Sequence, residues 1–401
     1  MNLTHLPNET ILQITESLSP PHINSLLRVN RQLSLLLPSA LLSSVCHTRS
    51  EEYGIKAMYF FAERRDKPPI CWLVEKGALE FIDNGSLLHE AVISRSCAVV
   101  ETLLECGIPV NTKDSLGRSL VYLAVKMDRL DVLEVLLKRK DVDVNSQENR
   151  RGKSPFHVAV RRVHLSAVRL LMDDGRVNIN LADHYEETPL HSAARWGRME
   201  VVKMLLKDEK LQVNCLDVCS YTPLHLAVDS GDVFMVRLML EDERFNVTFG
   251  EPMGQTLLHI ATRCGYEKMV RVLLDDGRFN PNVPDEMSMS PDDQFTIKET
   301  NLGAKGDWTP LHRAVHMKNE AIVGLLLADE RVDINCRSNT GKTPLHLAVV
   351  GKDRGVLELL LDHRDVDVHT IDDDGMTPLE LAAEMEHETS FLREGVWDLV
   401  R

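Results

Sequence analysis

One alternation of apolar and polar positions recurs along most of the chain, as in ETPLHSAARWGRMEVVKMLLKD at 187–208. A Thr or Ser opens each unit, small apolar residues follow, and a second apolar stripe closes it. Aligned on that hydroxyl residue, units begin at Ser86, Ser119, Ser154, Thr188, Thr222, Thr256, Thr309, Thr343 and Thr377. The steps are 33, 35, 34, 34, 34, 53, 34 and 34 residues. So steady a period predicts a solenoid of stacked supersecondary units.

Each unit predicts two short antiparallel helices and a projecting tip. Thr followed by Pro reads as a helix start, because the hydroxyl caps free amides and proline needs no donor in the first turn. Gly197, Gly231 and Gly265, nine residues after the threonine, mark the end of the first helix. Val201, Val202, Leu205 and Leu206 give the stripe of the second. An Asn closes the unit at 111, 145, 180, 214, 282 and 335, with Thr248 and His369 in the same slot, and is expected to hold a local turn. Gly117, Gly152, Gly254, Gly341 and Gly375 suit a β-hairpin-like tip. Residues 57–78 read as a worn terminal unit, and the pattern is ragged after His387.

Two segments depart from the grammar. In residues 1–45, Ile11, Ile14 and Leu18 fall at helical spacing, and HINSLLRV and NRQLSLLL follow the break at Pro20 and Pro21. They predict a three-helix module or a cap on the solenoid. The 53-residue step holds 19 residues beyond the period, a polar insertion at about 284–305 in which Ser290 before Pro291 is a candidate phosphate acceptor.

The chain has 401 residues, 46 basic and 61 acidic, with a formal net charge of -15. That balance disfavours nucleic acid and anionic membranes as partners. The run at 33–45 is broken by Pro38 and is too short to span a bilayer. No signal-peptide pattern opens the chain, so an intracellular place, cytoplasm or nucleus, is expected. The eight cysteines form no CxxC pair, and Cys215 with Cys219 lacks a second pair for zinc.

His89, His157, His191, His225, His259, His312 and His346 share one register position. A ring in the first helical turn can bond its own Thr and the backbone of an adjoining tip, a structural role. Packed helices lie roughly 8–10 Å apart, whereas metal ligands converge at about 2 Å from one ion. No metal, cofactor or catalytic residue is expected, because phosphate-loop, dinucleotide, HExxH and GxSxG motifs are missing. The DDGR stretches at 173–176 and 275–278 read as solvated turns. Recognition falls to side chains the stacking does not need. Trp196, Tyr221, Trp308 and Arg313, with Leu226 and Leu347, are expected to form a partner-binding face, since aromatic and arginine side chains make good anchors.

The TPLH starts, inter-helix glycines and VN-type ends resemble the ankyrin-repeat family over roughly residues 50–390. The resemblance implies a non-enzymatic scaffold of about ten units with first helices on a concave face that binds proteins. Around Ser119 the pattern weakens, with Tyr122 in the histidine slot and no proline. Leu6, Pro7, Glu9, Ile14, Leu18, Ile23, Leu26, Val29, Arg31 and Leu33 resemble an F-box, as in fungal ankyrin proteins, with Asn30 where that family usually has cysteine. This implies docking of a cullin-type ubiquitin-ligase adaptor on residues 1–45, chiefly through Leu6, Pro7, Ile14, Leu18 and Leu26, and a substrate held by an ankyrin domain over 50–401. A transcriptional coregulator bound to a transcription factor, or a structural assembly protein, fits the same residues.

Overall fold

The computed structural model describes residues 38–82, 84–248, 254–285 and 307–386. Leu6, Pro7, Ile14, Leu18, Leu26 and nearly all of the insertion lie outside them. The chain divides into two compact units, Met1–Tyr185 and Glu186–Arg401, each taken by itself below.

In the first unit, α1 (Pro38–Thr48) packs on α2 (Glu51–Ala62) and α3 (Lys67–Glu75), burying Leu42 and Val45. Three helix pairs follow: α4 (Asn84–Ser94) with α5 (Cys97–Glu105), α6 (Leu120–Lys126) with α7 (Leu130–Leu137), and α8 (Pro155–Arg162) with α9 (Leu165–Asp173). First helices stack on first helices, α4 on α6 on α8, and second on second, α5 on α7 on α9.

The second unit contains α10 (Pro189–Arg195), α11 (Met199–Leu205), α12 (Pro223–Asp229), α13 (Val233–Leu240), α14 (Leu257–Arg263), α15 (Glu267–Asp276), α16 (Pro310–His316), α17 (Glu320–Leu327), α18 (Pro344–Gly351), α19 (Arg354–Leu361) and α20 (Pro378–Glu386). First helices run α10, α12, α14, α16, α18, α20 in contact, so the 53-residue step leaves the neighbour relation of α14 and α16 intact. Ala193, Ala194, Ala227, Ala261, Ala314 and Ala348 are buried along this row. Their small side chains let helices of only two turns approach closely, which such short helices need because they are not stable alone.

The expected β-hairpin-like tips are not there. Among the described residues no β-strand forms, and the one antiparallel bridge joins Lys113 to Ser119. The tips at 148, 217, 338 and 372 are instead closed around a side-chain acceptor. Asp217 Oδ1 takes the amides of Cys219 and Tyr221, both at 2.9 Å, and Asp372 Oδ1 takes those of Asp374 and Met376. Ser338 Oγ and Glu148 act likewise. A carboxylate that satisfies two amides removes the donors a strand ladder would use.

The position nine residues past the opening Thr or Ser is left-handed in the seven units from Ser119 to Thr343. Glycine holds it at 197, 231 and 265, but Val163 holds it at φ 60°. A β-branched residue is strained there by about 1–2 kcal/mol, partly offset by the roughly 0.5–1 kcal/mol of chain entropy that glycine loses on folding. Val163→Gly should therefore raise the unfolding free energy by about 0.5–1 kcal/mol in a urea titration.

The closing asparagines do more than hold local turns. Asn214 Nδ2 donates to Arg244 O at 2.8 Å while its Oδ1 accepts from the amide of Asn246 at 3.0 Å, in the following repeat. Asn145 and Asn335 repeat the pattern, and Asn282 spans the long step to Arg331 O and the Asp333 amide. The local turn is held by Asn178 and Asn246, two residues before the closing positions at 180 and 248. Arg176, Arg244 and Arg331 reach back to the carbonyls of Leu137, Leu206 and Leu274, which end the preceding second helices. A carboxylate two residues before each, at Asp174, Asp242 and Asp329, fixes the guanidinium. So the DDGR-type segments are helix-end caps that link repeats, using cations where the helix dipole is negative.

Candidate functional site

The histidine register is built identically in unit after unit. The Thr188 and Thr222 amides donate to Nδ1 of His191 and His225 at 3.0 and 3.3 Å, with the threonine hydroxyls at 2.9 and 2.7 Å. Ser154, Thr256, Thr309 and Thr343 treat His157, His259, His312 and His346 in the same way. This is a reciprocal capping box with imidazole in the place usually taken by Glu or Gln; Glu380 takes it beside Thr377. Nε2 then faces a tip carbonyl: Arg118 for His89, Tyr221 for His191, Trp308 for His259, Lys342 for His312 and Met376 for His346.

An amide can only donate and a carbonyl can only accept, so each bridging ring is neutral with its proton on Nε2. Protonating Nδ1 would break two accepted bonds inside the core. Burial accordingly pushes His225, His259 and His312 down from 6.5 to about 4, and also lowers His191 and His346. A ring so held can neither shuttle protons near neutrality nor bind metal through Nδ1. No group of three His, Cys, Asp or Glu among the described residues is arranged to hold a metal ion. At Tyr122 only half of the box survives: the Tyr122 amide donates to Ser119 Oγ at 3.2 Å.

The six side chains expected on a partner face are placed unequally. Trp196 caps α10 and is 52% exposed. Tyr221 is half-buried, its ring edge-on to His225 at 5.9 Å. Leu226 and Leu347 are buried, as are Ser192 and Ile260 at the same register position. That position faces the neighbouring first helices, so these leucines are core and not partner contacts. Trp308 and Arg313 are likewise only 5% and 4% exposed. Arg313 Nη2 lies 2.7 Å from Asp285 Oδ2, and its guanidinium covers the Trp308 ring at 5.0 Å. Trp308 O accepts the Asp285 amide at 2.9 Å, and Asp285 O accepts the Asp307 amide at 2.7 Å. This cluster clips the two ends of the insertion together, and Trp308 and Arg313 serve the fold there rather than offering a surface.

A family model described as ankyrin repeats in three copies matches residues 120–217, 209–285 and 311–392, more than half of the chain. An ankyrin repeat protein of Rickettsia bellii (strain RML369-C) is 29% identical over 127 residues, 28% of this chain and 70% of that protein. The nuclear factor NF-kappa-B p105 subunit of Gallus gallus is 37% identical over 94 residues, 23% of this chain and 10% of the subunit. That of Rattus norvegicus is 37% identical over 89 residues, 22% and 9%. This chain thus spans about a tenth of each p105 subunit. The solved ankyrin repeat domain of Bcl-3, described as a member of the IkappaB protein family, aligns at 24% identity over 58% of this chain and 94% of that one, with a TM-score of 0.48.

Stacked helix pairs with imidazole capping boxes define a repeat scaffold that recognises other proteins and carries out no catalysis. The chain belongs to the ankyrin-repeat family.

Proposed function

We propose that the protein is a transcriptional coregulator of ankyrin-repeat type, which holds a DNA-binding regulator without itself contacting DNA and acts in the nucleus and cytoplasm. The observation that carries this reading is the 37% identity shared with the NF-kappa-B p105 subunit, whose name places it in a nuclear factor. The net charge of -15 supports a protein rather than DNA as the direct ligand. Trp196 and Tyr221 are the proposed centre of contact, Trp196 because a large amphipathic ring is half in water at a position the fold does not require to be apolar.

Affinity capture of the full chain from its native cell tests the reading. Transcription regulators should be retained by the native chain and reduced at least tenfold, roughly the effect of a binding hot spot, by Trp196→Ala. The melting temperature should stay unchanged. Capture without any transcription regulator, or a lowered melting temperature with undiminished capture, argues against it.

A second reading takes residues 1–45 as a separate module beside an ankyrin domain over 50–401 with its insertion at about 284–305. Only the sequence pattern of Leu6, Pro7, Ile14, Leu18 and Leu26 favours it. In that case the chain is the substrate receptor of a cullin-type ubiquitin ligase, and the adaptor co-purifies until Leu6 and Pro7 are both changed to alanine.

A further inference from the structure

The net negative charge of the chain conceals one strongly basic stretch in the first unit. Residues 118–162 hold 11 Lys and Arg against 6 Asp and Glu. Arg150 and Arg151 stand exposed at the tip before α8, and Arg161 and Arg162 stand exposed at the end of α8. Lys126, half-buried, ends the adjoining first helix α6. Among the described residues no carboxylate pairs with the side chains of Arg150, Arg151 or Arg162.

Glu148, the acid nearest the tip, is already committed to the backbone. Its Oε2 accepts the Arg150 amide at 2.9 Å, and its Oε1 accepts the Arg151 and Lys153 amides. Asp183 is engaged with Lys153 at 3.4 Å. Asp131 is held by Arg129 and Asp141 by Arg139, Asp143 accepts the Asn145 amide and Asp128 faces His164, which leaves Glu134 as the remaining acid of the stretch. Burial and the Glu148 carboxylate push the Tyr122 phenol up, and the charges of Arg118, Arg162 and Arg161 act against them, although Arg118 is itself paired with Asp114. Tyr122 occupies the slot that histidine fills in seven other units, so a half-exposed phenol stands where elsewhere an imidazole is sealed in.

From this arrangement we infer that the α6–α8 face of the first unit docks an acidic segment of a protein partner. Guanidinium groups take carboxylates in bidentate pairs, and a concentrated field of one sign speeds encounter with the opposite sign. A protein segment is favoured over nucleic acid because the rest of the chain is acidic and would repel a long phosphate backbone. The residues it uses do not include Trp196 or Tyr221, so it is tested independently of the coregulator reading.

The test uses the full chain and a fluorescein-labelled peptide of alternating Glu and Leu, read by anisotropy. A Lys and Leu peptide and a single-stranded DNA oligomer of equal length are run beside it. The acidic peptide should bind at least tenfold tighter than either, and its affinity should fall at least fivefold between 50 and 300 mM salt. Arg151→Glu with Arg162→Glu should abolish that binding while circular dichroism and melting stay native. Arg151→Gln with Arg162→Gln should weaken it by an intermediate factor. Equal affinity of the reversed variant for the acidic peptide, or preference for the DNA oligomer, overturns the inference.

Discussion

Replacing Arg313 by alanine should lower the unfolding free energy by about 3–5 kcal/mol, the range found when one partner of a buried ion pair is removed. The pair is almost fully sequestered, with Asp285 at 0% and Arg313 at 5% side-chain exposure. Truncating the guanidinium leaves the Asp285 carboxylate desolvated and strips the cation from the Trp308 face. Guanidinium titration followed by Trp308 fluorescence reads the loss directly. Arg313→Met with Asp285→Leu should regain most of it, because no charge is then stranded. A single-variant loss below about 1 kcal/mol, typical of a surface pair, would mean that water reaches the cluster.

The second large effect is acid sensitivity. An unfolded chain protonates its histidines below 6.5, while His225, His259 and His312 in the folded chain resist protonation until about 4. Their contribution is present in full above 6.5 and disappears as the pH falls from 6.5 to 4. It amounts to about 3 kcal/mol for each ring, with His191 and His346 adding in the same direction. Denaturant midpoints measured at pH 7.5, 6.0 and 5.0 should therefore decline steeply. Loss from carboxylates held low by arginines, such as Asp242 and Asp329, belongs to the lower range beneath their ordinary 3.8. A flat profile from pH 7 to 5 would contradict the neutral, buried imidazoles.

The helix pairs were legible in the sequence because each unit repeats its own start and stop signals. Thr-Pro set the cap, the glycine nine residues on set the left-handed stop, and paired valines and leucines set the second helix. The tips were misread for a local reason. Glycine two residues before the threonine does signal a tight, left-handed turn, as Gly341 at φ 70° has, but the same conformation serves a turn closed by Ser338 or Asp372 as well as a hairpin.

The binding face was partly misread for a longer-range reason. Nothing adjacent to Arg313 in sequence announces a partner, since Asp285 lies 28 residues earlier, beyond the insertion. An arginine in the fourth position after Thr309 looked free because the repeat grammar leaves that position open. Its burial with Ser192, Leu226 and Leu347 shows that the position is interior and tolerates any residue that finds a partner there. Asn214 and Arg244 carried a usable signal that was read too locally. An Asn and a D-x-R pair recurring once per unit have the spacing of side chains that link one repeat to the next.

The hydrogen-bonded clip at Asp285, Asp307 and Trp308 also bears on how the array can be enlarged. With the ends already fastened, extra residues between them add only the logarithmic entropy of a longer closed loop, roughly 0.6 kcal/mol for each doubling. A foreign epitope or a small folded cargo could be spliced in at that point, and the registry of α14 against α16 would not feel the added length.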